Sequence, residues 1–280
     1  MGVGFRVWKS DIKGWEYCPY SVFLRRIRKV TPPVTKELVF ARLEHDAAVA
    51  LRTAAYDAAI ERKEGLPRAD LADLPCGYYD LPGKQPGALE AFIWERFLEK
   101  AADIKKRNLK DIRRLGIFQD EVLQHIAGFA WPSLKGAAEV AVHAAKIRPE
   151  PSCRMAYETE RKLCTDDGKI GARADIVLYY DALPAVMEVR RGRQKRALYA
   201  DEEVELAVTQ LCASESLGHC EGVALVWADT QGCLEYDGSG KFGYVRKVAD
   251  EIRELTYTSA VPKRKDCAGC VLYGQCDSRG

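Results

Sequence analysis

Two neighbouring apolar runs between positions 171 and 193 each enclose a single acidic residue. The runs cover positions 172–180 and 185–189, a short Asp-Ala-Leu-Pro segment joins them, and their acids are Asp175 and Glu188. This pattern predicts a β-hairpin in which successive side chains alternate between the two faces. A two- or four-residue loop would place Asp175 opposite Glu188 or its near neighbour Arg190. The sequence therefore predicts two carboxylates and an arginine on one patch of a sheet.

These two acids need a compensating positive charge. Their neighbours, including Ile176, Val177 and Val189, are apolar without clean alternation, which is typical of a central strand covered on both faces. Opposed like charges repel, and burying each carboxylate costs several kcal/mol unless a cation balances it. A hard divalent ion such as Mg²⁺ or Mn²⁺ would balance them. Ion pairs with Arg173 and Arg190 at a strand edge would also do so, and the hairpin alone leaves both interpretations open.

The rest of the chain predicts the fold class. Helical patterns cover 10–29, 35–64, 88–115 and 118–146. Strand patterns follow at 155–164, 170–180 and 185–191. The remaining predicted elements are a crossover helix at 201–217, strands at 222–230 and 233–236, and a closing helix at 241–256. Helices, then a three-strand meander, a crossover helix and a further strand indicate an α/β domain with a mixed sheet and a helical elaboration.

A histidine in the predicted helix 35–64 is a further candidate. His45 lies off the main apolar stripe, on a narrower strip with Ala41, Ala48 and Ala55. Such small side chains would let the helix approach a neighbouring sheet closely. A surface or hydrogen-bonded histidine is the alternative interpretation.

Composition limits the class of protein. With 280 residues, 47% of them apolar, the chain can bury the core of one elaborated domain or of two small ones. Its net charge of +2 means that polyanion binding would depend on local basic patches. No apolar run approaches ~20 residues and the start does not resemble a signal peptide, so we expect a cytoplasmic protein without membrane contact.

Three of the ten cysteines are closely spaced near the end of the sequence. Cys267, Cys270 and Cys276 form a C-x2-C-x5-C pattern, and three thiolates at this spacing can converge on one metal centre with a fourth ligand from elsewhere. Zinc is the generic metal for such a site. The intracellular disulfides of hyperthermophiles are the other explanation for many cysteines in a cytoplasmic chain.

Several of these motifs together resemble one nuclease family. They are Tyr17-Cys18-Pro19, the Gly-x-x-x-Asp-Ile-Val run at 171–177, the triplet Glu188-Val189-Arg190, the helical Gln210 and the terminal C-x2-C-x5-C. The set is similar to RecB-type nucleases that carry an iron-sulfur cluster, and most similar to the CRISPR-associated exonucleases of the Cas-four family, in a longer archaeal form. The resemblance covers about 15–28, 40–51 and 155–276.

The resemblance implies a fold and a cluster. It implies one RecB-like (restriction-endonuclease-like) nuclease domain over 1–280, with a helical insertion at about 65–147. It also implies a clasp between about 15–28 and 262–280, in which Cys18, Cys267, Cys270 and Cys276 ligate an iron-sulfur cluster, [4Fe-4S] rather than [2Fe-2S].

The resemblance also implies an activity. His45, Asp175, Glu188 and the backbone carbonyl of Val189 would bind Mg²⁺ or Mn²⁺. Asp175, Glu188, Arg190 and Gln210 would be the catalytic residues. The expected function is cleavage of DNA from single-stranded ends during CRISPR spacer acquisition (prespacer processing), with integrase subunits as partners. Two alternatives stay open: a catalytically weak DNA-binding and scaffolding subunit of the adaptation complex, and a zinc-bound nucleic-acid-binding module.

Two positions depart from the family pattern. Arg190 stands where the family has lysine, and Ser214 stands where it usually has tyrosine. Lysine can lose a proton and activate water, whereas an arginine guanidinium stays charged and can only bind phosphate or stabilise charge. Lys195, in the following loop, could reach inward instead.

Overall fold

The computed structural model describes residues 5–61, 87–147, 154–181, 183–192, 197–230 and 232–261, and the single residues 272 and 276. The helices are α1 (Lys9–Tyr17), α2 (Pro19–Arg26), α3 (Lys36–Glu61), α4 (Ala88–Arg114), α5 (Gln119–Ala130), α6 (Leu134–Ile147), α7 (Ala200–Leu217) and α8 (Phe242–Arg253). The strands are β1 (Val7–Trp8), β2 (Met155–Cys164), β3 (Ile170–Tyr180), β4 (Leu183–Arg190), β5 (Val223–Trp227) and β6 (Cys233–Tyr236). The chain is therefore a mixed α/β protein, as the sequence predicts.

The strands form one mixed sheet around β3. β2 pairs antiparallel with β3 along 171–180, which occupies one edge of β3. The opposite edge is shared: β4 pairs antiparallel with 176–180, and the two-residue β1 pairs parallel with 170 and 171. β5 is parallel to β4, and β6 is antiparallel to β5. Between β1 and β4, positions 172–175 of this edge are therefore left without a strand partner among the described residues.

The hairpin register agrees with the sequence pattern. Ile176 pairs with Met187, so one step further along β3 and β4 Asp175 comes opposite Glu188. Tyr180 pairs with Leu183, which makes the loop two residues long and extends β4 through Leu183 and Pro184. The loop is shorter than the predicted four-residue segment, because Leu183 and Pro184 belong to the strand.

Helices cover the sheet and build a separate core. The core of α7, α8 and α1 against the sheet includes Leu206, Val208 and Trp227. α3 packs on the sheet through Ala48, Val49 and Tyr56 and on α4, α5 and α6 through Leu43, Ala47 and Leu51. The long α3 therefore connects the sheet to the helices at 88–147, which lie within the predicted insertion. No helix in the described parts of the chain has both the length and the apolar character needed to span a bilayer.

Two predicted helices are each broken in two, and a proline explains both breaks. The predicted helix 10–29 is α1 and α2, separated at Cys18, whose extended backbone (φ −160°, ψ 101°) is what a following proline favours. Pro19 then occupies the first turn of α2, where no amide hydrogen is needed. The predicted helix 118–146 is α5 and α6, joined by a 3₁₀ turn at Trp131–Ser133 that contains Pro132.

Candidate active site

A cavity of about 400 Å³ lies at the gap between β1 and β4. It is bordered by β1, α1, α3, β2, β3, β4 and α7, which are far apart in sequence. The lining residues are Trp8, Lys9, Ser10, His45, Lys162, Arg173, Asp175, Glu188, Arg190 and Glu205. The structure thus brings His45, Asp175, Glu188 and Arg190, all predicted site residues, into one cavity.

Asp175 is the centre of one half of the site. The residue is 6% exposed; Oδ2 accepts a hydrogen bond from the Val189 amide at 2.7 Å, and Oδ1 lies 3.2 Å from His45 Nε2. Burial alone would raise the pKa of Asp175, but the hydrogen bond and charge of His45 lower it. The carboxylate is therefore ionised and oriented by β4 and α3 together.

Glu188 is bound by an ammonium group. Lys9 Nζ lies 2.7 Å from both carboxylate oxygens, and Thr209 Oγ1 donates to Oε1 at 2.8 Å. Glu188 is 1% exposed, and this burial raises its pKa while the charge of Lys9 opposes the rise. Lys9 also donates to the carbonyl of Arg173 at 3.1 Å, on the β3 edge that lacks a strand partner. A lysine from α1 is thus the cation that compensates this buried carboxylate.

Arg190 is paired with an acid that the sequence did not indicate. Its Nη2 donates to Glu205 Oε2 at 2.5 Å, and the same oxygen accepts from Lys13 Nζ at 2.6 Å. Glu205 and Thr209 are four residues apart on the same face of α7, where Glu205 lines the cavity and Thr209 contacts Glu188. Arg190 Nε is buried without a hydrogen-bond partner among the described residues.

Glu160 is a second acid that sequence reasoning missed. It lies in mid β2 with a left-handed backbone (φ 56°), and the neighbouring pairs, Thr159 with Ile176 and Arg161 with Ala174, place it opposite Asp175. Its Oε2 lies 2.6 Å from Arg173 Nε. The sequence has an Asp-Gly pair, Asp167-Gly168, between β2 and β3, and counting back from a turn at this pair aligns position 160 with position 175.

One group of side chains has the spacing of a metal site. A ligand atom from each of His45, Glu160 and Asp175 lies within 4.8 Å of the other two. Glu188 lies outside this group, on the side of the cavity where Lys9 binds it. Val189, predicted to contribute its carbonyl, contributes its amide hydrogen to Asp175.

The structure places Gln210 away from these residues. Its Nε2 donates to the carbonyl of Glu221 at 2.8 Å and to Asp237 Oδ1 at 3.1 Å, and its Oε1 accepts from the amide of Gly238 at 2.6 Å. One position beyond Thr209, the helix has rotated by about 100°, so Gln210 faces the ends of β5 and β6 instead of the cavity. Ser214 is on that side too, and its hydroxyl donates to the carbonyl of Cys220 at 3.2 Å.

The predicted cluster ligands are described only in part. Cys18 is buried at the break between α1 and α2, and Cys276 is half-buried. Cys267 and Cys270 lie outside the described residues, and so does Lys195. The four-cysteine clasp remains a prediction.

An arginine-rich cavity adjoins the site. It measures about 620 Å³ and lies between α3, α4 and the sheet. It shares His45 and Arg173 with the first cavity, and its lining is Ala41, Arg42, His45, Asp46, Arg107, Asn108, Glu160, Arg173 and Arg191. Four arginines lie in this wall, and each is paired with a carboxylate: Arg42 with Asp111, Arg107 with Asp46, Arg173 with Glu160 and Arg191 with Glu44.

Comparison with known proteins adds little. No protein-family model matches the chain. No curated protein matches it either. Among solved structures, the crystal structure of SSO0001 aligns with 63% of this chain and 81% of its own, at 17% identity and a TM-score of 0.32. This similarity is too low to support an inference about function.

Proposed function

We propose that this chain is a RecB-like, metal-dependent phosphodiester hydrolase that cleaves DNA from single-stranded ends. The observation that carries the proposal is the convergence of His45, Asp175 and Glu188 in one cavity. They come from α3, β3 and β4, and His45 is 130 positions before Asp175, with which it is in hydrogen-bond contact. Buried carboxylates and a histidine brought together over such a distance are characteristic of functional sites.

The donor set fits a divalent cation. Imidazole nitrogen and carboxylate oxygen suit Mn²⁺, and carboxylate oxygen suits Mg²⁺. We assign His45 and Asp175 as ligands, with Glu160 close enough to contribute and with Glu188 and the carbonyl of Val189 as the further ligands implied by the resemblance. A cation of this kind stabilises developing charge on a phosphate and lowers the pKa of a bound water.

The protein's own residues would bind and orient the DNA backbone. Arg173 and Arg190 line the cavity, where a phosphate that shares or displaces their partners Glu160 and Glu205 would accept hydrogen bonds from them. The adjoining cavity continues this surface with Arg42, Arg107 and Arg191. A single strand that follows the arginines would bring its end to the carboxylates.

The cellular role and the cluster rest on the sequence resemblance. On that basis we extend the proposal to spacer acquisition beside integrase subunits, and to a [4Fe-4S] cluster on Cys18, Cys267, Cys270 and Cys276.

One observation favours the alternative of a catalytically weak DNA-binding subunit. Arg190 remains charged and is held by Glu205, so it cannot accept a proton from water. Glu188 is at the same time occupied by Lys9. A protein arranged in this way could bind DNA at the arginine-rich wall and leave cleavage to its partners.

Digestion of end-labelled single-stranded DNA with Mn²⁺ separates these functions. We expect the wild type to release short products and Glu188→Ala to lose that activity, since Glu188 lies in the cavity. Glu235→Ala, which changes an exposed glutamate on β6, is the matched control and should cleave like the wild type. If the wild type and Glu188→Ala are equally inert but both bind DNA, the scaffolding function is the correct one.

A further inference from the structure

Lys9 has a more specific position than an ordinary ion-pair partner. An ammonium group has three donors, and all three of its contacts are made inside the site: Glu188 Oε1 and Oε2 at 2.7 Å each, and the carbonyl of Arg173 at 3.1 Å. The Lys9 side chain is 15% exposed. Lys9 thus contacts both oxygens of Glu188, whereas Thr209 donates to Oε1 alone.

The fold delivers Lys9 to this point through β1 and α1. Val7 and Trp8 pair with Ile170 and Gly171, and α1 begins at the next residue, so Lys9 stands at the edge of the gap. The amide of Trp8 donates to Asp11 Oδ2 at 2.9 Å, which fixes the start of the helix. Asp11 is itself buried and also accepts from Arg26 Nε of α2 at 2.7 Å.

Position 190 does not take this role. Arg190 is on the same strand as Glu188, but its guanidinium is bound to Glu205 at 2.5 Å. Its planar group is also larger and less strongly hydrated than an ammonium. The two cations are thus divided between two acids: Lys9 binds Glu188, and Arg190 binds Glu205.

We propose that Lys9 is a positioning residue of the active site, and that its ammonium holds Glu188 in the orientation needed for cleavage. The inference rests on the proposed nuclease function. It adds a residue from α1, 179 positions before Glu188, that the sequence pattern around the acids does not include. Since β1 and α1 place Lys9, these two short elements become part of the catalytic apparatus.

The test measures cleavage kinetics and Mn²⁺ affinity on the full chain. Lys9→Met should lower kcat by about 100-fold, the size of effect seen when one preorganised donor is removed, with KM changed much less. Adding Arg190→Lys to Lys9→Met should restore at least about tenfold, because it places an ammonium two residues from Glu188 on the same strand. Lys36→Met removes a lysine at the start of α3 that pairs with Glu121, outside both cavities, and should stay near the wild-type rate.

Several outcomes would overturn the inference or the function on which it rests. Rates are divided by the concentration of natively folded protein, which a cooperative melt gives. If Lys9→Met only reduces the folded fraction, the corrected kcat equals that of the wild type, and the inference is overturned. A kcat for Lys9→Met equal to the wild type, or a failure of Arg190→Lys to restore any activity, also overturns it. If the wild type binds no Mn²⁺ and cleaves no DNA, the nuclease proposal itself is wrong. Lys9→Met should lose less Mn²⁺ affinity than His45→Ala, because His45, Glu160 and Asp175 stay in place. A loss as large as that of His45→Ala overturns the inference, since the whole metal site and not Glu188 alone would then depend on Lys9.

Discussion

Glu188 and Lys9 form a buried ion pair in the cavity that Asp175 and Glu205 also line. Glu188 is 1% exposed, and both of its oxygens contact the ammonium at 2.7 Å. Removing one partner of such a pair leaves a charge without compensation, which is more destabilising than removing both. The pair can therefore be tested through stability, independently of any cleavage.

Lys9→Met should lower the free energy of unfolding by about 3 kcal/mol in EDTA, because Glu188 is then buried without a cation. The double variant Lys9→Met/Glu188→Gln should regain most of this loss. Urea unfolding followed by circular dichroism measures both. Equal stability of Lys9→Met and the wild type would show that Glu188 does not depend on this contact.

Glu160 has an unfavourable backbone conformation and lies beside two candidate metal ligands, His45 and Asp175. A non-glycine residue at φ 56° within a strand costs about 1 kcal/mol or more, and such strain tends to occur at functional sites. Its two neighbours in β2 keep their pairing with β3 on either side. The strain is thus confined to the one residue whose carboxylate faces His45 and Asp175.

Glu160→Gly should raise the free energy of unfolding in EDTA by about 1 kcal/mol, since glycine adopts this conformation freely. It should weaken Mn²⁺ binding by about tenfold or more, the range found when a group supporting a metal site is removed. Glu158→Gly is the matched control. Because Glu158 pairs with Val177 within the strand, glycine at this position should lower the free energy of unfolding and leave Mn²⁺ affinity unchanged. Calorimetric titration with Mn²⁺ gives the affinities, and unchanged affinity in Glu160→Gly would exclude a ligand role.

Helix α7 presents different functions on successive positions. Glu205 lines the cavity and Thr209 donates to Glu188, whereas Gln210 connects the carbonyl of Glu221 to the amide of Gly238. Gln210 is 2% exposed and these partners are backbone groups. Its contribution is therefore to hold the β5 and β6 ends against α7.

Gln210→Ala should lower the free energy of unfolding by about 2 kcal/mol, because buried backbone groups lose their hydrogen-bond partner. Cleavage per folded molecule should remain near the wild-type value. Thermal melts together with single-turnover assays separate the two effects. Normal stability with lost cleavage would restore Gln210 to the catalytic set that the sequence resemblance implies.

The elements of the sheet could be predicted largely from local patterns, but the completed site could not. The apolar runs and turn residues of 155–190 specify the meander and bring Asp175 opposite Glu188. β1 has only two residues, which is too short for any periodicity, and its pairing with 170 and 171 decides where Lys9 lies. Glu205 reaches the cavity through the rotation of α7, which leaves no pattern in the sequence around Asp175 and Glu188. Glu160 lines the adjoining cavity and could have been located only by counting the β2–β3 register back from the turn between them.

Cys18 connects the predicted cluster to the helix that carries Lys9. It is buried where Pro19 separates α1 from α2, and α1 also carries Lys9. If Cys18 shares a cluster with Cys267, Cys270 and Cys276, the binding free energy of that cluster stabilises the segment that positions the active-site lysine. Loss of the cluster would then disturb cleavage as well as stability.

We expect the anaerobically purified protein to be brown, with broad visible absorbance and about four iron ions per chain, as a [4Fe-4S] cluster requires. Cys18→Ser should lose colour and iron and melt at a lower temperature, because a cluster ligand at the α1–α2 break is gone. Cys233→Ser, at an exposed position of β6, should keep both colour and melting temperature. A colourless wild type with one zinc ion per chain would replace the cluster by a zinc site, and Cys18→Ser with full iron content would exclude Cys18 as a ligand.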